Sequence, residues 1–368
     1  MNPAPNGPGS WNRDATWPAP HPDFNAYLTT SVDTPFPIIS PFLMRGDLYK
    51  LNPAQEPLTR LDGQYPAYAQ ARLALLQNHG CRFLSIDPDD TRDEQQRLSA
   101  LIEAIRRIGQ SVAAGLRVTR VGALWQFDFL PAGLTLQWDE CNLRLAAHRS
   151  QDQGLVDWLM SLAPPESTLT QQATKLLAYA WALSMQEDFV LLRGRADPAG
   201  RGQQLLAEAL LVSFPSGWQP YDKLGLSFSQ IHLPVADSDD LQRASSRLSQ
   251  ALLHKGPFQR HVWTLTDTPR LDRPALPARK GSDPAESAES AQALHSIWFR
   301  CERQTTLALP AQNRALFLIR TYVAPLLEAA SGIERRAALV NALRSMSDEV
   351  VRYKNLGEPR ERVLTAWG

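Results

Sequence analysis

A chain of 368 residues, 43% of them hydrophobic, can bury a substantial core in one large domain or two closely joined ones. With 38 basic residues against 38 acidic ones, it has no global charge that would recruit nucleic acid or an anionic membrane, and neither is expected as a partner. Three cysteines, Cys81, Cys141 and Cys301, are too few and too scattered for a disulfide framework or a four-cysteine iron–sulfur cluster, which argues for a reducing, cytoplasmic setting.

Residues 1–41 are rich in Pro, Asn and Gly, with neither a basic start nor an apolar core, so they read as an extended arm rather than a secretory signal. Tyr65 to Asn78 has helical periodicity. Thr91 followed by Glu94 has the spacing of a capping box, and beyond it Leu98, Leu101, Ile102, Ile105 and Ile108 recur at helical spacing as far as Gly109. Ala123 to Trp138 is mixed, with strand character. A second helix is expected from Leu169 to Leu191, its buried stripe running through Leu176, Ala180, Leu183 and Val190. Gln186, Glu187 and Asp188 break that stripe near its end and also interrupt the richest apolar run, so no segment is expected to cross a bilayer. Ala209 to Phe214 reads as a short strand stopped by Pro215, and Phe258–Thr266, Ile297–Leu307 and Arg314–Tyr322 as three more. Between two of them, the Pro-, Ser- and charge-rich stretch from Pro269 to Gln292 is expected to be a long mobile connection, with outer bounds at 268–293. A helix capped by Ser331 and Glu334 closes the chain, carrying Leu339, Val340, Leu343 and Met346. Strands that follow one another without intervening helices pair antiparallel, so the fold class is α+β rather than a doubly wound parallel sheet.

There is no Gly-x-Gly-x-x-Gly after a strand, no phosphate loop, no His-Glu-x-x-His, no Gly-x-Ser-x-Gly and no Cys-x-x-Cys-His. Redox chemistry in this chain would therefore draw its electrons from another polypeptide.

Four segments carry a resemblance. They are Gln186-Glu187-Asp188 and the apolar residues to Leu192; Phe214-Pro215-Ser216-Gly217-Trp218 through Lys223-Leu224-Gly225 to Ile231-His232-Leu233-Pro234-Val235; the strand around Trp263; and Arg300-Cys301-Glu302-Arg303-Gln304-Thr305 with Leu309-Pro310 and Phe317-Leu318-Ile319-Arg320-Thr321-Tyr322. Together, from about Phe42 to the C-terminus, they resemble the haem-bearing (alpha) subunit of the haem-dependent oxidative N-demethylase family. Three positions depart from that pattern: Ala236 stands where a second proline is usual, His261-Val262 precedes Trp263 where an asparagine is commoner, and Thr306 replaces a leucine. They concern substrate and activity more than haem binding.

The resemblance implies a PAS-like antiparallel sheet with surrounding helices, a haem-binding domain over 42–368, and haem b (iron protoporphyrin) as cofactor. It implies a haem-dependent monooxygenase or oxidase that removes an N-methyl group from a small alkylamine as formaldehyde. Dioxygen, a separate flavin or iron–sulfur reductase, and a homo- or hetero-oligomeric assembly would be its partners. A haem-based gas or redox sensor, or a haem-binding protein without turnover, is the alternative on the same fold. His232 is the implied iron ligand, leaving the opposite face open to oxygen, with His261 its main rival; a Cys301 thiolate would imply other oxygen chemistry, against its reading as a small buried apolar side chain. Arg300, Arg303 and Arg320 are charges inside apolar strands, suited either to the haem propionates or to internal pairs such as Glu302 with Arg320 or Glu187 with Arg303. Strand alternation puts Arg300 and Glu302 on one face, Cys301 and Arg303 on the other. Lys223 is a further propionate candidate or a solvated lysine. Glu187 and Glu302 are the candidate catalytic carboxylates, with an ion-pairing role for Glu187-Asp188 as the alternative. Trp218 and Trp263 would stack on the porphyrin or flank an amine, or simply pack in the core.

Overall fold

The computed structural model describes residues 49–79, 84–86, 93–111, 115–142, 144–150, 157, 161, 168–197, 200, 202–231, 238–273 and 294–368. In chain order these form β1 (Tyr49–Lys50), α1 (Tyr65–His79), β2 (Leu84–Ile86), α2 (Glu94–Gly109), β3 (Leu116–Val121), β4 (Leu124–Phe129), β5 (Leu134–Asp139), β6 (Arg144–Ser150) and α3 (Leu169–Ser184). They continue with β7 (Asp188–Ala196), β8 (Gln203–Leu211), α4 (Phe228–Ile231), α5 (Ser238–His254), β9 (Phe258–Thr266), β10 (Trp298–Leu309) and β11 (Arg314–Pro325). Four helices close the chain: α6 (Leu326–Ala329), α7 (Ile333–Ser345), α8 (Asp348–Tyr353) and α9 (Gly357–Trp367). The fold is α+β, with two sheets whose recorded strand pairings are antiparallel. The 1–41 arm, Thr91, His232 and residues 274–293 lie outside the described residues.

The larger sheet has seven strands in the order β1-β9-β10-β11-β7-β8-β2; the smaller is a four-stranded meander, β3-β4-β5-β6. The helices α2 and α3 are packed between them. The stripe of α2 is buried as its spacing demands, and Leu98, Leu101, Ile105 and Ile108 join Phe127, Phe129, Leu134 and Trp138 of the meander in the main core. Gly109 ends that helix at a close approach, since a Cβ there would stand 2.2 Å from Val118 Cγ2. On the opposite face of the large sheet, α4 and α5 cover a second cluster that includes Val190, Leu205, Val212, Leu252 and Ala315. The terminal helices cover a third, built on Trp263, Phe299, Cys301 and Ala324. A polar turn with Asn313 at φ 50° joins β10 to β11, and Asn313 Nδ2 donates to Gly194 O of β7 at 3.0 Å.

Several sequence expectations change. The Thr91–Glu94 capping box is not the helix start: Asp93 precedes α2 without a side-chain cap, its carboxylate taken by Arg193 and Arg314. The helix expected to reach Leu191 stops at Ser184, and Val190 lies in strand β7. The reason is polar anchoring at the corner. Gln186 hydrogen-bonds Asp62, Glu187 accepts from Arg60 N, and Asp188 pairs with Arg72, so these three residues turn the chain instead of riding a helix. The helix expected to close the chain, α7, begins after Gly332 (φ 95°) with no side-chain cap, so the Ser331–Glu334 cap does not form, and α8 and α9 follow it. The stretch after Pro269 is built into the fold as far as Arg273, where Leu271 is fully buried.

Candidate functional site

Strand register sorts the functional candidates onto the two faces of the large sheet. Across β9, β10 and β11, His261, Arg303 and Arg320 form one row and Trp263, Cys301 and Tyr322 the next. These belong to the first face, with the main core. On the second face the successive rows are Phe258, Thr306 and Phe317; Arg260, Gln304 and Ile319; Val262, Glu302 and Thr321; and Thr264, Arg300 and Val323. Arg300 and Glu302 therefore do share a face opposite Cys301 and Arg303. Glu302 and Arg320 lie on opposite faces, so the pair considered between them does not form.

The second face carries a continuous hydrogen-bonded chain. Arg300 Nε donates to Ser216 Oγ (2.6 Å), Ser216 Oγ to Glu302 Oε1 (2.5 Å), Gln304 Nε2 to Glu302 Oε2 (2.8 Å), and Arg260 Nε to Gln304 Oε1 (2.7 Å). Arg260, Arg300 and Gln304 are buried, while Glu302 is half-buried. Both carboxylate oxygens of Glu302 are thus held by donors, which fixes its plane. The remaining donors of Arg300 go to main-chain carbonyls: Nη1 to Leu271 (2.9 Å) and Arg270 (3.2 Å), Nη2 to Phe214 (2.8 Å) and Pro215 (3.3 Å). Arg300 is a clamp between β10, the Phe214–Trp218 loop and the segment after β9; burial, with Arg273 nearby, pushes its pKa down, and Glu302 opposes that shift. Lys354, just past α8, donates from Nζ to Trp263 O at 2.8 Å, and burial lowers its pKa to about 8 against the pull of Glu302.

The first face holds a denser set of charges. Arg303 donates to Gln259 Oε1 (2.5 Å), to Leu58 O (3.2 Å) and to Pro57 O, and lies 3.9 Å from Glu187. The Glu187–Arg303 pair considered from sequence is thus present. Arg320 donates to Asp62 at 2.9 Å and lies over the rings of Tyr68 (4.0 Å) and Tyr322 (4.9 Å). Glu187 Oε1 accepts from Arg60 N at 2.8 Å, and burial raises its pKa against the pull of Arg320 and Arg303. Trp263 is packed against Phe299, with ring centroids 5.4 Å apart. Trp218 is half-buried against the second-face core, and Lys223 is half-exposed in the turn Tyr221–Lys223.

The structure therefore brings Arg300, Glu302 and Trp218 to one face and Glu187, Arg303, Arg320 and Trp263 to the other. Sequence reasoning passed over Ser216, Gln304, Arg260, Arg60, Asp62 and Arg72. Arg260 could have been found by the rule that singled out Arg300, a charge inside an apolar strand; the Ser216–Glu302 contact, 86 residues apart in the chain, could not.

No group of three or more His, Cys, Asp or Glu residues is gathered for a bare metal ion among the described residues. A porphyrin brings four nitrogens of its own and needs as little as one protein ligand, so that observation leaves haem open. The second face suits a flat, largely apolar group with two carboxylates. Phe258, Phe317, Trp218 and Ile231 are only partly buried around its core, the cationic Arg260 stands in the next row, and α4 ends there at Ile231, which precedes His232 in the sequence. The void of about 10 Å³ between α2, α3 and the first face, lined by Leu101, Ile105, Trp181 and Phe189 among others, has room for about one water and is no cofactor pocket. The pattern of the family described as haem-dependent oxidative N-demethylase, alpha subunit-like, matches residues 150–364, from the end of β6 through nearly all of α9, and the chain belongs to that family.

Proposed function

We propose that this chain is a haem-binding subunit that oxidatively removes an N-methyl group from a small alkylamine. The observation that carries the reading is the family match together with an apolar face of partly buried residues at which α4 ends, one residue before His232 in the sequence. In this reading His232 is the axial ligand, the sheet and its helices are PAS-like, and residues 42–368 act as one unit in the cytoplasm. Haem b would rest on the second face, with Trp218, Phe258 and Phe317 as apolar walls and Arg260 toward its carboxylates. Bound there, haem supplies dioxygen activation, with electrons from a separate flavin or iron–sulfur reductase.

The chain's own contribution centres on Glu302. Held in plane by Ser216 and Gln304, its carboxylate can accept the ammonium of an alkylamine and orient the N-methyl carbon. Once that carbon carries a hydroxyl, Glu302 takes the hydroxyl proton, the C–N bond breaks, and the nitrogen leaves with a proton as the shorter amine beside formaldehyde. Glu187 lies on the opposite face, and in this reading it does not touch the amine. The test is the absorption spectrum in ferric, ferrous and carbon monoxide states beside His232→Ala, then formaldehyde release with methylamines and Glu302→Gln. Loss of the spectrum in the first variant and of formaldehyde in the second is expected. Gas binding without formaldehyde from any methylamine would leave the sensor reading in its place, and a colourless wild-type protein would remove both.

A further inference from the structure

The core keeps a void of about 10 Å³ where α2 and α3 meet β7 and β11, and the eight side chains that line it are all buried. Two of them are small, Ala104 on α2 and Ala178 on α3; the others are aliphatic or aromatic. Trp181 is not free to swing in and fill the gap. Its Nε1 donates to Glu187 O at 2.8 Å, and its ring meets Phe189 edge-on with centroids 5.9 Å apart. That bond also spends the one polar side-chain atom that the described residues place in the lining. The peptide groups around the void lie inside α2, α3 or paired strands, whose ladders use them. The space is thus about right for one water and offers it no partner, whereas a buried water ordinarily makes about three hydrogen bonds. Apolar voids of this kind stay dry. A non-polar molecule of similar size gives up no hydrogen bonds on entering and gains dispersion contacts on every side.

We infer that this void is a binding site for an apolar diatomic gas, dioxygen above all. Ions and amines are excluded by the cost of shedding their water, and larger organic molecules by volume. Leu316 forms one wall, while the next residue, Phe317, packs against the second-face cluster. A gas molecule held here is therefore one sheet's thickness from the apolar face offered to haem. The site depends only on how α2 and α3 pack against the sheet, and it stands whether or not haem binds.

The experiment is methyl NMR of the full-length protein under rising dioxygen pressure, compared with helium, with any haem kept ferric so that dioxygen has no iron to bind. Dioxygen is paramagnetic and speeds the relaxation of protons beside it. The methyl groups of Leu101, Ile105, Leu177 and Leu316 should therefore gain severalfold more relaxation than those of Leu339 and Leu343, equally buried under the terminal helices. Added argon, inert and of similar size, should compete and reduce that excess. Ala178→Val should abolish it by filling the space. An equal gain at all buried methyl groups, an excess that argon leaves unchanged, or an Overhauser contact from the lining methyl groups to a bound water would overturn the inference. Should Ala178→Val fail to fold, the argon competition in the wild-type protein decides alone.

Discussion

Replacing Arg300 by methionine keeps the stem and deletes five donor contacts, to Ser216 Oγ and to the carbonyls of Arg270, Leu271, Phe214 and Pro215. The two closest carbonyls, of Phe214 and Leu271, belong to residues that are themselves buried, so they cannot simply turn to water. A buried acceptor left unmade costs about 1–3 kcal/mol, and Ser216 beside the half-exposed loop can recover part of its share, so the variant should lose about 3–5 kcal/mol. Arg300→Lys retains charge but offers three donors without the planar fork, and should lose about 2 kcal/mol. The assay is urea unfolding of the haem-free protein, in which the midpoint should fall by about 1 M at an unchanged slope. A haem-free variant within about 1 kcal/mol of wild type, losing stability only when loaded with haem, would refute the clamp and restore Arg300 as a partner of the bound carboxylates.

If the proposed demethylation holds, Ser216→Ala, which frees one oxygen of Glu302, should lower formaldehyde release about tenfold while leaving the haem spectrum unchanged. Lys354 is held at about 8 in the folded chain against 10.5 unfolded. The folded state therefore carries the cost of the buried ammonium below pH 8 and sheds it as pH rises toward 10.5, so stability should climb by about 1–2 kcal/mol between pH 8 and 10. Lys354→Met should abolish that climb in denaturation midpoints. Above pH 10 the trend should reverse, because burial holds Tyr65 and Tyr68 up at about 12 and the unfolded chain ionises first. Thr168→Ala removes the capping box with Gln171 at the start of α3 and a contact to Glu94, and should cost about 1 kcal/mol in the same measurement.

What could be read in advance follows from what local chemistry encodes. The α2 stripe and the alternation along β9, β10 and β11 are local patterns, and the facing of Arg300 and Glu302 against Cys301 and Arg303 follows from them. The end of α3 is not local in that sense. Apolar residues run on through Met185 and into Phe189-Val190-Leu191, where helix and buried strand look alike, and only the contacts of Gln186, Glu187 and Asp188 to residues more than a hundred positions earlier decide the corner. The meander was half legible: Ala123 to Trp138 covers β4 and β5, while β3 and β6 were missed, although Leu116-Arg117-Val118-Thr119 does alternate. Of the candidate site, residue types were legible and partnerships were not. An arginine in a strand announces a buried acceptor without saying whether that is a loop carbonyl, as for Arg300, or a carboxylate, as for Arg320.

The family match begins at residue 150, but four buried charges inside it take partners from outside it. Arg72 answers Asp188, Asp62 answers Arg320, Arg60 N answers Glu187, and the carbonyls of Pro57 and Leu58 answer Arg303. A fragment cut at the start of the match would leave Asp188 and Arg320 without their ion-pair partners, and would reduce Glu187 and Arg303 to each other and Gln259. The boundary of recognisable ancestry and the boundary of an autonomous folding unit are therefore different places on this chain. The segment from Pro57 to Arg72 completes the strands it meets, and a substitution at Asp62 or Arg72 should be tolerated only beside a matching change at Arg320 or Asp188.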